Sequence, residues 1–293
     1  MIDKPPGLTS HDVVMRVRKR LGIKKIGHAG TLDPAATGVL VLGVGMATRL
    51  LEYMTAVNKA YVGEVCFGEA TDTDDAMGHV TAVGDATFLT MDQVVAAARP
   101  FIGVQWQKVP AYSAVHIEGR RAYEWARTGT EVDLPSKKIK IEELNVSAFQ
   151  PGSLATATFS VTCSKGTYIR SLCRDWGAAL SLPAHLKSLR RLQSGSFSID
   201  ESVTLDRFLT DLQPERFLLS TLEGVRDLTW LEVSSTTAAC LRLGQRVRGF
   251  SGPSKGPVAA VCDGELVAVV LPLSEEESDG WLQPQKVFSK GEP

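Results

Sequence analysis

One carboxylate near the start of the chain stands in a setting that suits chemistry. Asp33 lies in the segment GHAGTLDPAATGVLVLG, residues 27–43, and is followed directly by Pro34. A residue before proline is restricted to extended backbone, and Gly30 and Gly38 allow the chain to bend closely around a ligand. An Asp-Pro pair alone usually forms only a turn. The segment by itself therefore predicts either a turn or a carboxylate presented on a stiff loop.

Two predicted elements flank this loop and would position the carboxylate. Thr9 with Asp12 three residues later is a capping-box pattern, and the apolar residues that follow recur at helical spacing. They predict a basic amphipathic helix over residues 10–21. The apolar run over residues 39–44 is bounded by glycines and predicts a buried strand. The loop therefore leads directly into the core.

The remaining elements indicate the fold class. Runs rich in β-forming residues and runs with helical periodicity alternate without a βαβ rhythm. Strands are predicted over residues 61–67 and 155–161, and helices over residues 91–101 and 167–180. This mixture favours an α+β fold around a mixed, mostly antiparallel central sheet flanked by helices and loops.

The character of the sequence changes near Asp227. Short β-like runs separated by glycines follow, and the pair Asp263 and Gly264 between two apolar runs is a strong hairpin signal. We predict a large domain over residues 1–227 and a small β-rich domain over residues 228–293.

Composition limits the possible classes of protein. The chain has 293 residues, of which 44% are hydrophobic and 22% charged, which is ordinary for a globular protein. The apolar runs fall short of the roughly 20 residues of a membrane helix, and the first residues lack a signal core. We therefore expect a cytoplasmic protein with no membrane role. The five scattered cysteines lack zinc-ligand spacing and are interpreted as small buried apolar residues.

Charge is unevenly distributed although the net charge is only -1. Basic residues crowd into residues 16–25, 187–191 and 242–248. Such clusters are compatible with a basic groove for nucleic acid and equally with solvated surface.

Six stretches of the sequence resemble the TruB family of tRNA pseudouridine synthases and occur in that family's order. They are DKPPGLTSHDVV, GHAGTLDPAATGVLVLGVGMATRL, NKAYVGEVCFGEATDTDD, VPAYSAVHIEGRRAYEWARTG, SKGTYIRSLCRDWG and SLRRLQSGSF. GTLDP followed by GTYIR is the most specific combination. The resemblance implies a pseudouridine synthase fold with a PUA-like C-terminal domain. It also implies an isomerase that converts the uridine at position 55, in the T loop of tRNA, to pseudouridine.

The same resemblance implies roles for individual residues. Asp33 corresponds to the catalytic aspartate, Tyr61 to the ring that stacks on the target base, and Arg170 to the partner of the aspartate. Leu189 corresponds to an apolar active-site residue, and His28 to a residue that contacts RNA near the flipped nucleotide.

Three further residues complete the predicted site. Tyr168 is expected to line the pocket, and Asp75 to join the arginine network. Lys59 is expected to contact RNA, because it shares a strand face with Tyr61 outside an apolar run.

These residue types fit the chemistry. The uracil must detach from the ribose at N1, rotate and rejoin through C5, so no electron, phosphate or acyl group is transferred. One ionised carboxylate is sufficient, by attack on the ribose, by addition to the base or by removal of a ribose proton, and a facing guanidinium favours its charge. A base flipped out of a folded loop also needs a stacking partner. We therefore expect neither a metal nor another cofactor.

A thumb-like insertion over about residues 107–129 is implied as the RNA-clamping element, mobile until tRNA binds. It is rich in arginine and aromatic residues. It departs from the family pattern at Val109, where a second proline is common, and at His116, where lysine is frequent. These differences affect phosphate contact rather than catalysis.

Several alternatives stay open at this stage. The acidic run TDTDDAMG could be a calcium loop, although it lacks the acidic residue that closes such loops. The chain could be an RNA-binding or tRNA-folding protein, or a guide-RNA-dependent synthase of the dyskerin type. A glycosidase is disfavoured because a second catalytic carboxylate is not evident near Asp33. We expect a monomer that acts on tRNA without an obligatory protein partner.

Overall fold

The computed structural model describes residues 1–130, 132–249, 256–273 and 280–289. The α-helices in these residues are α1 (Ser10–Leu21), α2 (Leu51–Thr55), α3 (Met91–Ala98), α4 (Ala122–Arg127), α5 (Ile169–Ala179), α6 (Leu205–Thr210) and α7 (Ser235–Arg242). None of them is long and apolar enough to span a membrane.

The strands alternate with these helices without a repeating unit. They are β1 (Ile2–Lys4), β2 (Ile26–His28), β3 (Thr37–Leu40), β4 (Leu42–Val44), β5 (Lys59–Phe67), β6 (Glu69–Thr71), β7 (Val80–Val83), β8 (Gly103–Lys108), β9 (His116–Ile117), β10 (Arg120–Arg121), β11 (Ser136–Gln150), β12 (Ala155–Cys163), β13 (Ala184–Ser194), β14 (Phe197–Ser198), β15 (Val203–Thr204), β16 (Thr229–Glu232), β17 (Val247–Arg248), β18 (Val258–Cys262), β19 (Glu265–Pro272) and β20 (Trp281–Val287).

Nine strands form the central sheet. Their order is β15-β1-β3-β13-β5-β12-β11-β8, and β14 pairs with β13. The pairs β1 with β15 and β3 with β13 are parallel, whereas the other pairs are antiparallel. This mixed, mostly antiparallel sheet with its helices confirms the predicted α+β fold.

Alternate residues of the long strands β5 and β12 are buried under α3 and α5. Trp176 of α5 is fully buried and meets Phe67 and Phe159 edge-on, at centroid distances of 5.7 and 5.8 Å. Edge-on aromatic pairs contribute about 0.5–1.5 kcal/mol each beyond the area they bury. This packing holds α5 firmly on the sheet.

The helix predicted over residues 10–21 is α1, and its caps explain its bounds. The Thr9 hydroxyl accepts from the amide of Asp12 (3.0 Å), and the Asp12 carboxylate accepts from the amide of Thr9 (2.9 Å). Gly22, at φ 71°, ends the helix in the left-handed conformation. The capping-box prediction is confirmed.

The single strand predicted over residues 39–44 is wrong, because Val41 divides it into β3 and β4. β3 belongs to the central sheet, whereas β4 pairs with β2 in a separate two-stranded sheet. The carbonyl of Val41 accepts from the amide of Ala29 (2.9 Å) at the point of change. A continuous apolar run cannot reveal this break, since both parts are apolar in sequence.

A second sheet of five strands forms the C-terminal part, in the order β16-β18-β19-β20-β17. Asp263 and Gly264, at φ 52° and 75°, join β18 to β19. Two consecutive left-handed residues are typical of a type I′ hairpin turn, so the predicted hairpin is confirmed.

Polar contacts tie the second sheet to α2 and the turn before it. The Lys286 ammonium lies 2.9 Å from the Glu52 carboxylate, and Arg49 donates to the carbonyl of Val287 (2.6 Å). Residues 250–255, 274–279 and 290–293 of the predicted small domain lie outside the described residues. The boundary at residue 228 and the PUA-like assignment remain predictions.

Candidate active site

The loop that carries Asp33 connects β2 to β3 and is fixed by the start of α1. Ser10, buried in the first turn of α1, donates to the carbonyl of Leu32 (3.1 Å) and accepts from its amide (2.8 Å). Both backbone polar groups of Leu32 are therefore bonded to one buried side chain. The next residue is Asp33, whose side chain is 39% exposed, so a rigid loop presents its carboxylate at an open surface.

Lys4 lies buried beneath this loop. Its ammonium donates to the carbonyls of Pro34 (3.1 Å) and Leu8 (2.7 Å). Burial lowers the pKa of Lys4 to about 8, and the charge of Asp33 opposes that shift. This role of Lys4 is not evident from the sequence, because lysines are rarely fully buried.

Arg191 supports the same loop from inside and is 1% exposed. It donates to the carbonyls of Val39 (2.7 Å) and Gly30 (3.1 Å). Its strand lies so close to β3 that a Cβ at Gly38 would stand 2.1 Å from the Arg191 carbonyl oxygen. In sequence Arg191 belongs to a basic cluster compatible with a nucleic-acid groove or with solvated surface, whereas the folded chain holds its side chain in the interior as a support for the loop.

Arg170 faces Asp33 with a two-point contact. It lies in the first turn of α5 and is 6% exposed. Its Nε lies 2.9 Å from Oδ2 of Asp33, and its Nη2 lies 3.3 Å from Oδ1. The guanidinium also donates to the carbonyls of Thr73 (2.9 Å) and Tyr112 (2.9 Å). Bidentate charge-assisted contacts are strong and directional, so a buried cation orients an exposed carboxylate.

Asp75 approaches the same guanidinium from the acidic loop. Its Oδ2 lies 3.7 Å from Nε of Arg170, and its Oδ1 accepts from the Thr73 hydroxyl (2.7 Å) and the Met77 amide (3.0 Å). The carboxylate is thus engaged by an arginine and by its own turn. This arrangement argues against the calcium-loop alternative.

Arg174, one helical turn after Arg170, makes a second salt bridge that was not predicted from the sequence. It lies 2.9 Å from the Asp74 carboxylate and donates to the carbonyl of Lys108 (3.3 Å). Burial raises the pKa of Asp74, and Arg174 opposes that shift. The signal was present in the spacing, since residues four apart share one face of a helix.

Tyr61 lies on β5 and is only 9% exposed. It belongs to the same packed cluster as Leu32 and Ala36, which lie on either side of Asp33 in the loop. Burial raises the pKa of Tyr61, and the neighbouring Arg191 opposes that shift. The ring therefore packs in the same cluster as the Asp33 loop, and it lies deeper in the core than the strand pattern indicated.

Lys59 shares the buried face of β5 and is 7% exposed. Its ammonium donates to the carbonyls of Thr55 (2.6 Å) and Val57 (2.5 Å) at the end of α2. Burial lowers the pKa of Lys59 to about 8. We therefore correct the sequence-based expectation: Lys59 caps a helix end from inside the protein and is not offered to RNA.

Three further predicted residues lie around this arrangement, each half-buried. Tyr168 precedes α5, and the Lys137 ammonium lies 5.8 Å from its ring centroid. Leu189 lies on β13 and packs closely over Gly63, since a Cβ added to that glycine would lie only 3.2 Å from Cδ1 of Leu189. His28 ends β2, and burial lowers its pKa, which favours the neutral imidazole.

The predicted insertion over residues 107–129 contains β9, β10 and α4. The guanidinium of Arg120 lies 4.9 Å from the centroid of the Trp125 ring, and that of Arg127 lies 5.3 Å from the centroid of Tyr123. Both arginines are exposed and both rings are half-buried. The insertion therefore carries cation–aromatic pairs at its surface, which suit contact with nucleic acid.

The geometry defines what the site can do. An exposed carboxylate held by a buried guanidinium can act as a nucleophile or as a base. The aromatic residue Tyr61 packs in the cluster that includes Leu32 and Ala36, on either side of Asp33. The arrangement suits attack on, or proton removal from, a group that approaches the exposed side of the carboxylate.

Two family models match the chain. The one described as "TruB family pseudouridylate synthase (N terminal domain)" matches residues 18–169, and the one described as "tRNA pseudouridylate synthase B C-terminal domain" matches residues 170–228.

Curated relatives match between 80% and 99% of the chain. The "tRNA pseudouridine synthase B" of Arthrobacter sp. (strain FB24) is 38% identical over 99% of this chain and 95% of its own length. The protein of the same name from Streptococcus thermophilus (strain ATCC BAA-250 / LMG 18311) is 40% identical over 99% and 98%. That from Symbiobacterium thermophilum is 44% identical over 80% and 78%.

Solved structures share the fold. A chain in "Crystal Structure of a Cbf5-Nop10-Gar1 Complex" matches with a TM-score of 0.75 at 26% identity, over 98% of this chain and 84% of that chain. A chain in "Structure of H/ACA RNP bound to a substrate RNA containing 2'-deoxyuridine" matches with a TM-score of 0.74 at 24% identity, over the same shares.

Proposed function

The chain belongs to the TruB family of pseudouridylate synthases, and on that basis we propose that it converts a uridine in the T loop of tRNA, at position 55, to pseudouridine. Asp33 is the catalytic carboxylate and Arg170 its orienting partner. The target nucleotide leaves its stack and approaches the exposed carboxylate of Asp33.

One observation carries this proposal above all. The Asp33 side chain is 39% exposed while the Arg170 side chain that grips both of its oxygens is 7% exposed. A purely structural ion pair gains nothing from an open carboxylate. A catalytic one needs it, because the reacting ribose or base must reach an oxygen that is already oriented.

Each chemical path open to the site begins with this carboxylate. It can form an ester with the ribose, add to the uracil ring or remove a ribose proton. In every case the N1 bond to the ribose breaks, the base turns over, C5 bonds to the ribose in place of N1 and loses its hydrogen as a proton, and N1 takes up a proton. The loss of that proton supplies a direct measurement.

The test uses purified protein, an unmodified tRNA transcript with tritium at C5 of uridine, and a chelator. We expect release of one tritium per tRNA, and mapping of pseudouridine to the T loop. Folded protein that releases no tritium would contradict the proposed activity. Since only protein and transcript are present, turnover would also show that neither a guide RNA nor a partner protein is required.

Tyr61 is proposed to stack on the flipped base. Stacking on an aromatic side chain contributes about 1–3 kcal/mol per base, so Tyr61→Leu should slow single-turnover pseudouridine formation by about 5- to 150-fold. Tyr61→Phe is the matched control, because it keeps the ring and should lose far less. Equal losses in the two variants would contradict stacking and point to the hydroxyl.

Two peripheral elements are proposed to hold the tRNA. The insertion over residues 107–129 offers exposed arginines beside aromatic rings, which suits phosphates and unstacked bases. The predicted small domain over residues 228–293 is proposed as a PUA-like unit that contacts the acceptor region.

A further inference from the structure

We propose that Gln107 is a positioning residue for catalysis. It holds the first turn of α5 in the place where the Arg170 guanidinium contacts both carboxylate oxygens of Asp33. This inference rests on the proposed function. Gln107 lies on β8, is 4% exposed and faces the start of α5.

Its carboxamide bonds to both polar groups of one backbone residue. Oε1 of Gln107 accepts from the amide of Tyr168 (2.8 Å), and Nε2 donates to the carbonyl of Tyr168 (3.0 Å). Tyr168 is the residue that precedes α5, and its own side chain makes no capping hydrogen bond. Gln107 therefore supplies from a neighbouring strand the anchoring that a helix start otherwise obtains locally.

Only a carboxamide of this length satisfies both groups at once. A glutamate would put a second acceptor against the Tyr168 carbonyl, since a carboxylate donates no hydrogen bond. Alanine would leave the Tyr168 amide without this acceptor, and its carbonyl with the amide of Leu172 (3.1 Å) as the remaining donor. An amide that loses its partner at a half-buried position is costly, and the helix start would shift to find another.

A shift there acts directly on the catalytic pair. Arg170 follows Tyr168 by two residues, and its guanidinium bonds at once to Asp33, Thr73 and Tyr112. These partners come from three separate segments, so movement of the helix cannot preserve all the contacts. Misplacement by about 1 Å can cost about 100-fold in rate.

Gln107 also lies where β8 enters the insertion, so it connects the insertion to α5. The carbonyl of Lys108, the next residue, accepts from Arg174 (3.3 Å), and the carbonyl of Tyr112 accepts from Arg170 (2.9 Å). The root of the insertion and the catalytic helix are thus joined by bonds from Gln107, Lys108 and Tyr112. Gln107 is the buried member of this junction.

The test compares Gln107→Ala and Gln107→Glu with Gln105→Ala. Gln105 lies on the same strand and the same side, is half-buried and donates instead to the carbonyl of Phe101. Single-turnover tritium release is measured with enzyme in excess, alongside tRNA affinity by filter binding. We expect both Gln107 variants to lose about 10- to 100-fold in rate constant, with tRNA affinity and the Gln105→Ala rate within about threefold of wild type.

The rate constant separates positioning from simple instability. Partial unfolding raises the enzyme concentration needed for saturation but leaves the rate constant at saturating enzyme unchanged, whereas misplacement of Arg170 lowers that rate constant. A Gln107→Ala rate constant equal to that of Gln105→Ala would overturn the inference.

Hydrogen exchange supplies an arm that does not depend on activity. Peptides that contain residues 169–173 should exchange faster in Gln107→Ala than in Gln105→Ala, in the absence of RNA. Unchanged exchange would overturn the inference even if the wild type made no pseudouridine. An inactive wild type would instead count against the proposed function alone.

Discussion

Asp33→Asn should abolish pseudouridine formation, with a loss of at least about 10⁴-fold, as is usual when a group that reacts directly is removed. Asparagine has nearly the shape of aspartate and can still accept from Arg170 through its amide oxygen. It lacks the negative charge that every open path requires. The loss should therefore appear in the chemical step and not in the fold.

Tritium release under single-turnover conditions measures this loss, and filter binding checks that tRNA affinity is kept. Asp85→Asn is a suitable control, because Asp85 is an exposed loop aspartate whose carboxylate accepts only from the nearby amide of Thr87 (3.0 Å) among the bonds described. Asp33→Asn activity within about tenfold of wild type would remove Asp33 from the mechanism. If the variant still assists tRNA folding as well as wild type does, a folding activity exists beside the catalytic one.

Local signals in the sequence predicted individual elements of the fold. The capping box at Thr9 and the hairpin at Asp263 and Gly264 depend on neighbouring residues alone, and both are found as predicted. The resemblance in GTLDP and GTYIR also named Asp33 and Arg170, which the fold brings within 2.9 Å across 137 positions of sequence. Pattern alone could not have joined them.

What escaped prediction was which side of a strand is covered. Alternation along β5 correctly put Lys59 and Tyr61 on one face, but it could not tell that α3 and α5 lie over that face. The positive charges of Lys4 and Arg191 likewise suggested exposed side chains, but both side chains are buried. Their cost of burial is offset by backbone carbonyls contributed from distant segments, and such partners become visible only in the folded chain.

Arg170→Lys should reduce the single-turnover rate constant by about 10²- to 10³-fold although the positive charge is retained, since misplacement of a catalytic group alone can cost about 10²-fold. Lysine presents one compact ammonium in place of a planar fork. It cannot span both oxygens of Asp33 and still reach the carbonyls of Thr73 and Tyr112, which Arg170 does at 2.9 Å each. The carboxylate would keep a nearby cation but lose its fixed orientation.

Arg174→Lys provides the matched control, because Arg174 lies on the same helix one turn later and bonds to Asp74 instead. Its side chain is 29% exposed, whereas that of Arg170 is 7% exposed. Water can therefore replace some of the hydrogen bonds that are lost when lysine replaces Arg174. We expect the Arg174 variant to stay within about tenfold of wild type. Equal losses in the two variants would mean that the helix needs its arginines for folding, and that orientation of Asp33 is not the special contribution of Arg170.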